Sequence, residues 1–304
     1  MPLALMQAAA YLERTGMSYG KYLQLLAERE AEVLARPRLD DYPATVATVW
    51  SLSFAQLQQD CPAATLVLGL GAYLAPMPFP IGALFRDNVE ELPSDLASLR
   101  PIVNTLELQD AIAALRDYSL VEVAEDMIWF HPLVQSMARH SLDSKARNEW
   151  SAVVTNLLRR CFHYSPHDLT TWSSSELLFP HAWVCLDHAL AAGVGAESSL
   201  ELGGHVAQFC QMRISPQVAG HLLERLVKTF ELSIRLGSPE HVLLCAIKCE
   251  LINNLRERDC YREALTLAEH LADEMAALPE EDQVCDLQVR LAVVRGTALL
   301  AAGQ

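Results

Sequence analysis

His181, Cys185 and His188 fall at i, i+4 and i+7, a spacing that puts an imidazole, a thiol and a second imidazole on one helix face. Cys161, His163 and His167 cluster a little upstream. Zinc takes imidazole nitrogen and thiolate sulfur in a tetrahedron, so the residue types suit it. A metal-dependent hydrolase would draw on His163, His167, His181 and Cys185. Neither cluster has the paired spacing of a zinc module, however, and a His/Cys helix face packs well as a half-buried stripe. The expectation is no metal site. The run from Gly16 to Tyr22 (G-M-S-Y-G-K-Y) approximates the phosphate loop G-x-x-x-x-G-K-[ST]. It is a residue short, ends in Tyr where magnesium needs a hydroxyl, and follows a helical pattern where a strand is required. Gly69 and Gly71 lack a third glycine and lie in a helical stretch. There is no G-x-S-x-G and no H-E-x-x-H, and the pairs Glu90/Glu91 and Glu280/Glu281 read as solvated loop charge. These residues point to no catalysis and no cofactor for this chain alone.

The elements that would carry such groups are mostly helices. The chain has 304 residues, 51% hydrophobic, enough for two or three compact units and too apolar for disorder. Its net charge of −15 is uneven: residues 1–39 hold 5 basic and 4 acidic side chains, 40–142 hold 4 and 13, and 143–304 hold 14 and 21. No segment offers the cationic surface that a phosphate backbone selects, so nucleic acid is not an expected partner. Cys61 to Phe85 is 25 residues without a charge, but Pro76, Pro78 and Pro80 interrupt it, leaving a core-helix length and not a membrane span. The N-terminus lacks the basic start of a signal peptide. The eight cysteines stand singly, and Cys245 and Cys249, one turn apart, are poorly placed for a bridge. A reducing, cytoplasmic setting is expected.

Residues 1–39 read as two helices broken at Gly16–Gly20, with Ser18 capping the second. Pro37 to Pro43 is a charged linker. Residues 40–142 read as helices over 44–57, 62–74, 80–85 and 108–118, then a hairpin, then a helix over 132–141. The hairpin pairs Leu120–Val123 with Met127–Phe130 across an acidic turn at Ala124, Glu125 and Asp126. Helices, a two-stranded wing and a helix outline a winged helix. Its reading helix, 108–118, offers Gln109 and Arg116 against Asp110 and Asp117, too little for base edges and phosphates. From 143 onward only helical patterns occur: 144–164, 173–192, 197–212 with 216–236, 239–257 with 261–277, and 283–302. Gly203, Ile252 and Gly296 hold corresponding places in a weak repeat, 49 and 44 residues apart, longer than the roughly 34 of a tetratricopeptide unit. The fold class is all-α, a winged helix with one small hairpin followed by an incomplete array of helical hairpins; both ends read as cut.

At the hairpin the sequence resembles a known family. Leu115 to Val121 (L-R-D-Y-S-L-V) and Trp129 to Gln135 (W-F-H-P-L-V-Q) are similar to the end of the NB-ARC winged helix in STAND-type signalling NTPases with tetratricopeptide repeats. Pro2 to Tyr11 resembles the G-L-P-L-A-L segment that opens the small helical subdomain, Tyr42 to Ser53 the start of the winged helix, and Leu178 to Ala182 the lead-in to the repeats. The resemblance covers residues 2–182 in order. It implies that His131 is the winged-helix histidine contacting the β-phosphate of ADP, and that Pro2 packs near the adenine. The P-loop, the Walker B acid and the sensor arginine would precede residue 1, and Met1 stands where the family has glycine.

The resulting expectation has three parts: 1–39 a helical-subdomain remnant, 40–142 the winged helix, and 143–304 the repeats. The chain would be a regulatory, protein-interaction fragment of a STAND-type NTPase, non-enzymatic alone, with ADP or ATP and Mg bound only in the intact parent. A partner protein would dock on the repeats, and the parent could oligomerise. The alternative is a winged-helix transcriptional regulator with a repeat-type effector domain.

Overall fold

The computed structural model describes residues 12, 16–21, 23–24, 54, 56–82, 105–276, 292–293, 295–297 and 299. Pro2, the 37–43 linker, the family-like segment 42–53, the acidic pairs Glu90/Glu91 and Glu280/Glu281, and most of the helices expected over 2–35 and 283–302 lie outside them. The described residues are mainly helical, with three short strands. The chain divides into two compact units. The first is Met1–Ala72 with Pro80–Arg147; the second is Tyr73–Phe79 with Asn148–Gln304.

In the first unit, α1 (Pro62–Gly71) starts with a proline at its first turn and is apolar almost all round, with Ala64, Val67, Leu68 and Leu70 buried. The helix ends at Gly71, short of the 62–74 expected and five residues before Pro76, with turns at Ala72 and Tyr73 and with Pro76, Pro78 and Pro80 following. α2 (Thr105–Asp117) buries Leu108, Ala111, Ile112 and Leu115, the i, i+3, i+4, i+7 stripe of an amphipathic helix, and packs on α1. Two strands follow, β2 (Val121–Ala124) and β3 (Met127–Phe130), paired antiparallel with Val121 opposite Phe130 and Ala124 opposite Met127. Glu125 turns the hairpin in a left-handed conformation, φ 54°. Val121, Ile128 and Phe130 face inward, while Glu122 is exposed. A two-residue strand, β1 (Phe79–Pro80), where the chain re-enters the unit, makes the sheet order β1–β3–β2.

α3 (Pro132–His140) then crosses back onto α1. Buried Gln135 donates from Nε2 to the Gly71 carbonyl at 2.8 Å, and Arg139 donates to the carbonyl of Ala72, so α3 satisfies the carbonyls orphaned where α1 stops. Gly71 is required for a second reason. A Cβ there would lie 2.2–2.6 Å from the Phe130 ring, so only a glycine lets β3 close on α1.

The second unit begins with α4 (Ser144–Cys161), which starts in the first unit's residues and buries Val154, Leu157 and Leu158. A 3-10 turn at Leu169–Thr171 leads into α5 (Trp172–Ala192), closed by Gly193 at φ 65°. Four helices follow in two hairpins: α6 (Ala196–Arg213) with α7 (Pro216–Phe230), and α8 (Pro239–Glu257) with α9 (Tyr261–Ala276). Their starts are written locally. Ser215 Oγ accepts from Gln217 N at 3.1 Å and Ser238 Oγ from His241 N at 3.2 Å, each followed by proline at the first helical position. From α5 to α9 each helix packs on the next, and α6 also packs on α8. Thus α7 contacts both α6 and α8, and α9 contacts α8. Gly203 makes the stack tight, since a Cβ there would lie 2.5 Å from Leu226 of α7. Phe162, Phe209, Leu186, Leu200, Leu222 and Phe230 fill the core.

Candidate functional site

The sequence-derived candidates separate in space or fall outside the described residues. His131 caps α3: its Nδ1 accepts the Leu133 N–H at 3.1 Å, with φ −62° and ψ 138° placing it before the helix. An acceptor at Nδ1 in the neutral ring leaves the proton on Nε2, so the exposed side of His131 presents a hydrogen-bond donor. Pro2 lies outside the described residues. The glycine run that approximates a phosphate loop is a helix–helix turn: Gly16 has φ 60°, and Lys21 N–H donates to Ser18 Oγ at 3.4 Å, so Ser18 is the cap expected of it.

The helix face His181, Cys185 and His188 exists, but its groups turn to different partners. Buried His181 donates from Nε2 to the Pro78 carbonyl at 3.2 Å and meets the Phe79 ring edge-on at 4.9 Å. Its Nδ1 is buried without a hydrogen-bond partner, and burial pushes the imidazole down to about 4. The thiol of Cys185 pairs with Thr155 Oγ1 at 3.1 Å, and burial raises it to about 12 despite that bond. His188 stands edge-on to Tyr73 at 5.2 Å. His163 packs against His205 at 6.2 Å, and His167 is exposed. The hydrolase constellation does not assemble; among the described residues, none of these side chains belongs to a cluster of metal-ligating atoms.

Two arrangements in the second unit were not visible in the sequence. One is a groove of about 240 Å³ along the hairpin stack, between α6 and α8. Its lining mixes amides and charges, Gln208, Gln211, Asn253, Asn254, Glu250, Arg256 and Glu257, with apolar Ala207, Met212 and Leu223. A fixed polar chain runs beneath it. Buried Asn254 donates to Gln211 Oε1 at 2.6 Å and to the Pro216 carbonyl at 2.7 Å, while its own oxygen accepts from Arg258 at 3.3 Å. Gln211 in turn donates to Glu257. Holding three polar partners, Asn254 fixes α6, the start of α7 and α8 in one register. Gln208 and Asn253 remain open to a ligand, and the Arg256 Nε is buried with no hydrogen-bond partner.

The other is a polar cluster inside the α8–α9 hairpin. Lys248, 4% exposed, donates from Nζ to Glu274 at 2.7 Å and to Glu231 at 2.9 Å. His241, 3% exposed, reaches the other Glu274 oxygen at 2.8 Å, and Cys245 Sγ lies 3.8 Å from both ring nitrogens of His241. Burial alone would raise Glu274, but hydrogen bonds from Lys248 and His241 more than offset it and hold the carboxyl below its usual range. Burial likewise works against the Lys248 ammonium, and the two carboxylates overcome it, leaving its titration raised. Burial and the Glu274 charge push the Cys245 thiol up to about 12. His241 and Cys245 have the same i, i+4 spacing as His181 and Cys185, so a signal was present; what it lacked was Glu274, 33 residues away from His241.

No described helix is long and apolar enough to cross a membrane. Among the described residues, the seven cysteines form no disulfide. In comparisons with protein-family models, curated proteins and solved structures, the chain matches none.

Proposed function

We propose that the chain is a regulatory and protein-interaction fragment of a STAND-type signalling NTPase, non-enzymatic by itself, whose stacked hairpins bind a partner protein. The observation that carries this is the groove between α6 and α8. Amide side chains at Gln208 and Asn253 suit the backbone of an extended peptide, which offers both a donor and an acceptor at each residue. Arg256 adds a cation whose Nε–H lacks a partner, and Met212 and Leu223 add adaptable apolar contact. The Asn254 network keeps this lining in place before a ligand arrives, which lowers the ordering cost of binding. The acidic balance of residues 143–304 favours approach of a basic or mixed-charge partner.

In the same reading, residues 40–142 act as the winged helix that closes over ADP in the intact protein, and the Nε2–H of His131 is the donor toward a diphosphate oxygen. In that reading ADP or ATP with Mg is bound in the intact parent, with His131 contributing a donor from the winged helix. A DNA-reading role is the weaker alternative. The outer side of α2 exposes Glu107, Asp110 and Asp117 against Arg116, a charge pattern that repels phosphates. The test is affinity capture of the partner by the full chain, followed by replacement of Asn253 and Arg256 with Ala. The reading expects binding to fall at least tenfold with the helical signal unchanged; undiminished binding contradicts it.

A further inference from the structure

We propose that His241, Cys245 and Glu274 form a zinc site that pins α8 to α9. Three donor types that zinc accepts, an imidazole nitrogen, a thiol sulfur and a carboxylate oxygen, lie within 4.8 Å of one another and come from two different helices. Tetrahedral zinc bonds of about 2.0–2.3 Å place neighbouring ligand atoms about 3.3–3.6 Å apart. The sulfur stands 3.8 Å from the His241 nitrogens and the Glu274 oxygen 2.8 Å from Nε2, so the first edge closes by a few tenths of an ångström, the second opens by about half an ångström, and sulfur to oxygen, now within 4.8 Å, closes by up to about 1.3 Å. Small side-chain rotations suffice.

The surroundings favour an ion as well as the geometry does. Glu231 and Glu274 bring two carboxylates against the single ammonium of Lys248. A divalent cation bound with a thiolate adds one net positive charge against that excess of carboxylates. Lys248 does not occupy the site: it holds Glu274 by Oε2, which aims Oε1 at His241 and Cys245. A hydrogen bond to the second oxygen of a ligating carboxylate is the usual outer support of a metal site. The balance of the step is simple. Binding of Zn²⁺ releases the Cys245 thiol proton to solvent, and the His241 proton moves from Nε2 to Nδ1 so that the Nε2 lone pair faces the metal. A water completes the tetrahedron on the side of Glu274, whose side chain is 24% exposed and gives the ion its way in.

Cobalt(II) added to the reduced full chain at pH 8 tests the site directly, because a cobalt–thiolate bond gives a near-ultraviolet charge-transfer band. One equivalent of Co²⁺ should develop that band, Zn²⁺ should bleach it, and Cys245→Ser should abolish it while Cys185→Ser, a buried thiol elsewhere, keeps it. Zinc affinity should fall about 100-fold or more in Cys245→Ser and at least tenfold in Glu274→Gln, the second variant guarding against loss of fold in the first. Absence of the band at one equivalent, or a band and zinc affinity unchanged in these variants, overturns the proposal and leaves the cluster a closed ion-pair network.

Discussion

His181 and Pro78 share a hydrogen bond of 3.2 Å across 103 residues of sequence. The bond uses the only proton of a neutral imidazole, and the remaining nitrogen, Nδ1, is buried with nothing to accept a second. Protonation therefore costs the folded state an unsatisfied N–H and a desolvated charge, which is why the group is pushed from 6.5 to about 4.

The sign of the pH effect follows. Below 6.5 the unfolded chain takes up a proton that the folded one refuses, so stability is full above pH 6.5 and declines as pH falls toward 4. The whole contribution is roughly 3 kcal/mol. His181→Gln keeps a donor at the Nε2 position without titrating. Urea midpoints at pH 7.5, 5.5 and 4.5 should converge between the two proteins as pH falls; parallel curves contradict the assignment.

Glu274→Gln leaves the Lys248 ammonium buried with Glu231 alone. We expect destabilisation of about 2 kcal/mol, below the cost of a fully buried pair because Glu231 stays half exposed. Lys248→Met removes the buried charge, leaving Glu231 half exposed and Glu274 still bonded to His241, and should cost less. Urea unfolding of the two variants without metal gives the order.

A methyl group at residue 71 meets the Phe130 ring at under 2.7 Å. Gly71→Ala should cost about 1–3 kcal/mol through overpacking. Shortening the ring with Phe130→Leu in the same chain should recover part of that loss, so the double variant is more stable than additivity allows. A thermal-melt cycle of the four proteins measures it.

His131→Ala removes the acceptor for Leu133 N–H and should cost about 0.5–1 kcal/mol, whereas His131→Asp restores a cap and adds a favourable charge at the helix start. Equal losses in both variants, read by urea denaturation, would mean that the cap contributes nothing.

Much of the helical order was legible because it is written locally. Ser215-Pro216 and Ser238-Pro239 announce helix starts through a hydroxyl cap and a proline that needs no donor, and α8 runs over the expected residues. The hairpin was legible from Trp129 and Phe130 beside the acidic turn at Glu125 and Asp126. Helix α7 ends at Phe230, six residues before the pattern suggested, because Glu231 to Leu236 carries apolar side chains that stay outside: Leu232 is almost fully exposed. What escaped depends on partners far apart in sequence. Nothing near Pro78 says that residues 73–79 join the second unit; His181 does that from a distance. The groove amides Gln211 and Asn254 lie 43 residues apart, and Glu274 meets His241 only when α9 folds back on α8.

The central claim is that the α6–α8 groove receives a partner protein. A photo-crosslinking amino acid at Gln208, exposed in the groove, and at Glu269, exposed on α9 outside it, tests this in the cells that make the protein. The account predicts one discrete crosslinked partner at Gln208 that disappears with Asn253→Ala and Arg256→Ala, and none at Glu269. Crosslinks of equal yield at both positions, or a Gln208 product indifferent to those substitutions, contradict it.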